Sequence, residues 1–159
     1  MKNVSRREFV QAAVAVAATG ATLSAQQQPA NRVGGYDHVA LPMLNTDAMV
    51  AFYKKLGFEV RESAAAVSVY AGRNMINFHR PARWQDRTFT LRAPRATPPC
   101  GDLCFVWDGN AAQLKAWLDS ASASVEEGPV ARQGGRKTDG SSVYTRDPDG
   151  NLLEFIIYG

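Results

Sequence analysis

Only two histidines occur among the 159 residues, His38 and His79, and both fall in stretches that alternate apolar and polar side chains as a β-strand does. A carboxylate, Glu154, sits inside the apolar run Leu152-Leu-Glu-Phe-Ile-Ile157. Burying it bare there would cost on the order of several kcal/mol, so it needs a cation, a set of donors or a metal beside it. Neutral imidazole together with carboxylate suits Fe(II), Mn(II), Co(II), Ni(II) or Zn(II), and two His plus one carboxylate leave coordination positions open for a substrate oxygen. An ion held that way polarises a carbonyl or enolate oxygen, or activates a bound water. Asp102, in Cys100-Gly-Asp-Leu-Cys104, either joins such a set or simply caps the turn after Gly101. Asn77 lies two residues before His79 and therefore on the same strand face, displaced by ~6.6 Å. An amide is a poor ligand for a soft divalent ion and a good hydrogen-bond donor, which makes Asn77 a substrate contact before a ligand. Arg80 and Trp107, with Arg73, Trp84, Arg132 and Arg136, are candidates to hold an anionic or aromatic substrate; the plainer reading of each is an exposed Arg or a core Trp.

These residues have to be positioned by short elements that the pattern marks out. Tyr36 to Met43 alternates like a strand stopped by Pro42. Asn45-Thr46-Asp47 offers helix caps, Met49, Val50, Phe52, Tyr53 and Leu56 follow at helical spacing, and Gly57 ends the helix. Strands are predicted over 60–63, 66–70 and 75–79. After a Pro-rich connector (93–99), the order repeats: a strand over 102–107, a helix capped by Asn110, and strands over 125–130, 142–145 and 152–157. Arg146-Asp-Pro-Asp-Gly-Asn151 is a chain reversal. Two βαβββ units, over 35–92 and 99–158, are an internal duplication, supported locally by Asn74-Met-Ile-Asn-Phe against Asn151-Leu-Leu-Glu-Phe. Gly134 to Gly140 reads as a flexible cationic loop; its glycines do not follow a strand and open a helix, so it is no phosphate loop.

Residues 1–25 form an address. Ser5-Arg-Arg-Glu-Phe-Val10 resembles the twin-arginine export motif, an alanine-rich apolar stretch follows to Ala21, and Leu23-Ser-Ala25 offers a cleavage site. Residues 26–34 are a linker and 35–159 the folded domain, expected in the periplasm. The apolar stretch is too short to span a bilayer, so no membrane association is expected of the mature form. Without residues 1–25, which carry Lys2, Arg6 and Arg7 against Glu8, 15 basic and 14 acidic side chains remain from totals of 18 and 15. That balance, with no basic cluster, gives nucleic-acid binding no support. Cys100 and Cys104 would stand ~13 Å apart in an extended segment, beyond the reach of a disulfide; Cys104 is expected as a small buried hydrophobe and Cys100 as a loop thiol.

Asp37-His-Val-Ala40, Phe52-Tyr-Lys-Lys-Leu-Gly-Phe58, Ile76-Asn-Phe-His79, Glu126-Glu-Gly-Pro-Val130 and Tyr144-Thr-Arg-Asp-Pro-Asp-Gly-Asn-Leu-Leu-Glu154 together resemble the vicinal-oxygen-chelate superfamily of glyoxalase I, fosfomycin- and bleomycin-resistance proteins and extradiol dioxygenases. The resemblance covers 35–158 and is greatest to small glyoxalase-like members. It implies an α+β fold whose two tandem βαβββ units form a half-barrel cleft, usually in a homodimer. It also implies a divalent metal held by residues on the first and last strands of each unit. Carried over, those positions are His38, Asn77, Asp102 and Glu154, with Asp102 the two-fold mate of His38 and Asn77 the mate of Glu154. Asn77 departs from the four-ligand pattern, and His79 competes with Asp102 to complete His38 and Glu154. The implied activity is that of a lyase, isomerase or dioxygenase on a small oxygen-rich substrate, with Glu154 in the catalytic centre. The other possibility is a metal-free binding protein of the bleomycin-resistance kind.

Overall fold

The computed structural model describes residues 31–159, so the stretch expected to direct export and most of the expected linker lie outside the described residues. Strand β1 (His38–Pro42), helix α1 (Thr46–Lys55) and strands β2 (Glu59–Glu62), β3 (Ala66–Ala71) and β4 (Asn74–His79) make the first unit. A single helical turn, α2 (Pro81–Trp84), opens the connector; Pro81 fits the first helical position, where a missing N–H costs nothing. Strand β5 (Asp102–Val106), helix α3 (Ala111–Ser120) and strands β6 (Glu127–Gln133), β7 (Asp139–Arg146) and β8 (Leu152–Ile157) repeat the order. The first sheet runs β1-β4-β3-β2 and the second β5-β8-β7-β6, each with its outer pair parallel and the rest antiparallel.

The duplication extends to register. Ala40 pairs with Asn77 in the first sheet as Cys104 pairs with Glu154 in the second, so His38 and Asp102 occupy equivalent positions, opposite Met75 and Leu152. Alternation then sorts the side chains. Val67, Val69, Ile76 and Phe78 of the first sheet and Val143, Leu153 and Phe155 of the second are buried in one apolar cluster with Met49, Tyr53, Leu114 and Leu118 of the helices. A run of ring contacts, Tyr53 to Phe58 to Phe105 to Phe155, carries that core from one unit into the other at centroid spacings of 5.4–5.7 Å. His38, Asn77, Asp102 and Glu154 all belong to the opposite faces.

Three expectations need correction. Cys104 is exposed on that opposite face, because it alternates with the core-facing Leu103 and Phe105; both cysteines are free thiols. The segment expected as a loop is one only over 134–138: Arg132 pairs with Gly140 and Gln133 with Asp139, so its last two residues already belong to β7. Asn110 caps α3 through a reciprocal box with Gln113, but the side chain of Asn45 makes no such bond at the start of α1. A residue of the other unit instead accepts from the backbone just ahead of α1.

Candidate functional site

The donors stand as two half-sets on the outward faces of the two sheets. On the first, His38 Nδ1 lies 2.7 Å from Asp37 Oδ1. The carboxylate can only accept, so Nδ1 carries the hydrogen and the lone pair of the neutral ring is left on Nε2, the orientation a carboxylate gives a metal-ligating histidine. Asn77 Oδ1 accepts from Ser68 Oγ at 3.3 Å. His79 pairs with Pro42 while His38 pairs with Met75, four positions or ~13 Å apart along the strands. Its ring meets Phe89 edge-on at 5.2 Å, in a small recess with Pro42, Trp84 and Arg92. Burial, then Arg83 and His38, hold its pKa below the usual histidine range. One ion cannot easily take both imidazoles at that separation, and this weakens His79 as the third ligand.

On the second sheet, Glu154 Oε1 accepts from Ser142 Oγ at 2.5 Å. The thiol of Cys104, its register partner, is partly desolvated beside that carboxylate; this desolvation and then Glu154 push its pKa up to about 12. Asp102 is two residues along the same face and adds its charge to that shift. Alternation with Asp102 was the signal that could have placed Cys104 here. Among the described residues of one chain, no group of three or more His, Cys, Asp and Glu side chains is arranged to hold a metal.

The substrate-contact candidates separate. Arg80 is occupied, with Nη2 2.9 Å from Glu62 Oε2 and Nε donating to Ser63 O. Trp107 lies on the core side, its ring 5.0 Å from that of Trp117. Arg132 and Arg136 lie over Tyr144 and Tyr158, and Trp84 Nε1 donates to Met43 O. The guanidinium of Arg73 has no ion pair, hydrogen bond or ring contact among the described residues.

The turn 146–151 has a task that its sequence did not reveal. Asp147 is buried and accepts from Tyr53 Oη (3.0 Å), Asn151 Nδ2 (2.8 Å), Asn151 N and Asp149 N. Asp149 reaches the first unit and accepts from Leu44 N, Asn45 N and Asn45 Nδ2 at 2.7–2.9 Å, placing a carboxylate at the N-terminus of α1 where the helix dipole favours it. Asn151 Oδ1 takes the N–H groups of Cys100 and Gly101 at the entry to β5. One turn thus fastens β8 to α1 of the first unit and to the start of its own unit.

Two sheets with the same strand order, each built from one βαβββ unit, make this a paired-βαβββ protein. The chain belongs to the glyoxalase/bleomycin resistance protein/dioxygenase superfamily, whose family model matches residues 35–155. It is similar to virulence protein STM3117 of Salmonella typhimurium, 34% identical over 124 residues that cover 77% of this chain and 83% of that one. The crystal structure of that protein superposes with a TM-score of 0.70 over 80% of this chain and 98% of its own. The glyoxalase domain-containing protein RDO1 of Mycosarcoma maydis is 31% identical over 134 residues, covering 84% of this chain and 73% of its own. An integron cassette protein from V. cholerae has a TM-score of 0.71 at 27% identity, covering 82% of this chain and 99% of its own.

Proposed function

We propose that the chain is an exported, metal-dependent enzyme of this superfamily, acting as a lyase, isomerase or dioxygenase on a small oxygen-rich substrate, with its cleft completed between two copies. The observation that carries the reading is the division of the donors. His38 with a free Nε2 and Asn77 face outward from one sheet, and Glu154, Cys104 and Asp102 face outward from the other. Neither half-set suffices alone, and a second copy opposing the first sheet to the second supplies both halves twice over. In that arrangement His38, Glu154 and Asp102 would hold Fe, Mn, Zn, Ni or Co, and the ion would polarise substrate oxygens. Ser142 fixes the Glu154 carboxylate, so it can take a proton from a bound substrate without first reorienting. Asn77 Nδ2 is free to donate to a substrate oxygen while its Oδ1 is held by Ser68.

Protein purified without chelator should carry about one divalent ion per chain, and His38→Ala or Glu154→Ala should each reduce that at least tenfold, since two remaining protein donors hold such ions weakly. A wild-type chain that carries no metal, and whose melting temperature ignores added Mn, Ni, Zn and Fe, would instead be a binding protein of the bleomycin-resistance kind. The export half of the reading rests on Arg6-Arg7 ahead of an apolar stretch. Replacing both with Lys should leave the protein in the cytoplasm; undiminished periplasmic protein from that variant would sink it.

A further inference from the structure

The same strands carry a second concavity on their other side. A cavity of about 610 Å³ opens between the two units, walled by Phe58, Phe105, Trp107, Trp117 and Phe155, with Arg73 at its mouth. We infer that this cavity is a binding site for a planar, apolar ring compound bearing one anionic group, separate from the outward-facing donors. Its volume is that of sites that enclose small organic ligands, and its lining has their make-up, a largely apolar wall with few polar groups. Aromatic walls favour flat ring systems, which they contact edge-on or in offset stacks.

The polar component is specific. Asn74, also at the mouth, spends its amide on Tyr36 O, whereas the Arg73 guanidinium is exposed and has no partner among the described residues. An unpaired cation above an apolar pocket selects a carboxylate or sulfonate on an otherwise apolar molecule. None of the outward-facing donors lines the cavity: Val39, Phe105 and Phe155 line it while His38, Cys104 and Glu154 point away, and of the donors' own faces only Met75 and Val106, near the strand ends, reach it. A ligand here touches the back of the strands that carry the donors, and never the donors themselves.

Anilinonaphthalene sulfonate, two ring systems with one sulfonate, is a direct probe, and phenylnaphthylamine is its uncharged counterpart. The full chain should bind the sulfonate saturably at one site per chain, with energy transfer from Trp107 and Trp117, while its melting remains cooperative. Arg73→Ala should weaken the sulfonate about fivefold, as loss of an exposed ion pair does, and leave the uncharged probe unchanged. Ala71→Phe, which fills the rim, should weaken both. His38→Ala and Glu154→Ala should bind both probes as the wild type does, so the metal reading and this one fail separately. Absence of a saturable site, indifference of both probes to Arg73→Ala and Ala71→Phe, or loss of probe binding on Glu154→Ala would each overturn the assignment.

Discussion

Mixing His38→Ala chains with Glu154→Ala chains should restore about a quarter of the wild-type metal content, although each variant alone retains about a tenth or less. If each centre takes His38 from one copy and Glu154 from the other, about half of the randomly reassociated dimers are mixed, and each of these has one centre with both residues intact and one with neither. The intact centre should load normally and turn over substrate at the wild-type rate per ion. A centre built within one chain predicts zero recovery, because every chain lacks one essential donor. The measurement is metal per chain before and after dissociation and reassociation, with wild-type chains carried through as a control for losses.

The second large effect concerns stability. Asp147→Ala should lower the melting temperature by about 10 °C or more, since it leaves the buried Tyr53 hydroxyl and the buried Asn151 amide without acceptors, at roughly 1–3 kcal/mol each. Arg61→Ala, which removes an exposed pair with Glu59, should barely move it. A pH dependence distinguishes the clasp from simple loss of packing. Burial holds the Asp147 carboxyl above the ordinary carboxylate range. A raised pKa means the folded chain keeps a proton that the unfolded chain releases, so this residue contributes most below the ordinary carboxylate range and less as pH rises through its raised value. The deficit of Asp147→Ala should therefore narrow over that interval. A deficit that widens would reject the assignment.

What could be read from the sequence follows from what alternation encodes. The βαβββ order and the local match of Asn77 with Glu154 are periodicities that need nothing but a strand and a turn. The grouping of His38 and Asp102 with them was implied by the family resemblance. The anchor of the backbone ahead of α1 was beyond such reasoning, because Asp149 is 104 residues from Asn45 and nothing near Asn45 announces its partner. The start of β7 at Asp139 is hidden by a glycine that signals looseness, where Gly140 fits beneath Ile156 and the Ile157 carbonyl with no room for a Cβ. Cys104 was misjudged by residue type alone; its phase relative to Asp102 gave the right face. Which donors meet is a matter of how sheets are brought together, and strand periodicity carries no information about that.

The clasping turn also changes what the most recognisable stretch of this chain reports. In the first unit the equivalent reversal is two residues, Gly72-Arg73, and it ends at the mouth of the aromatic cavity. In the second it is the longer Asp147 to Asn151, and its side chains are spent on holding the two halves together. In this chain those side chains answer to the fastening, whichever reaction the outward faces run. A search keyed to Arg-Asp-Pro-Asp-Gly-Asn would therefore select for a fastening, and what the chain does chemically has to be read from the sparse outward positions instead.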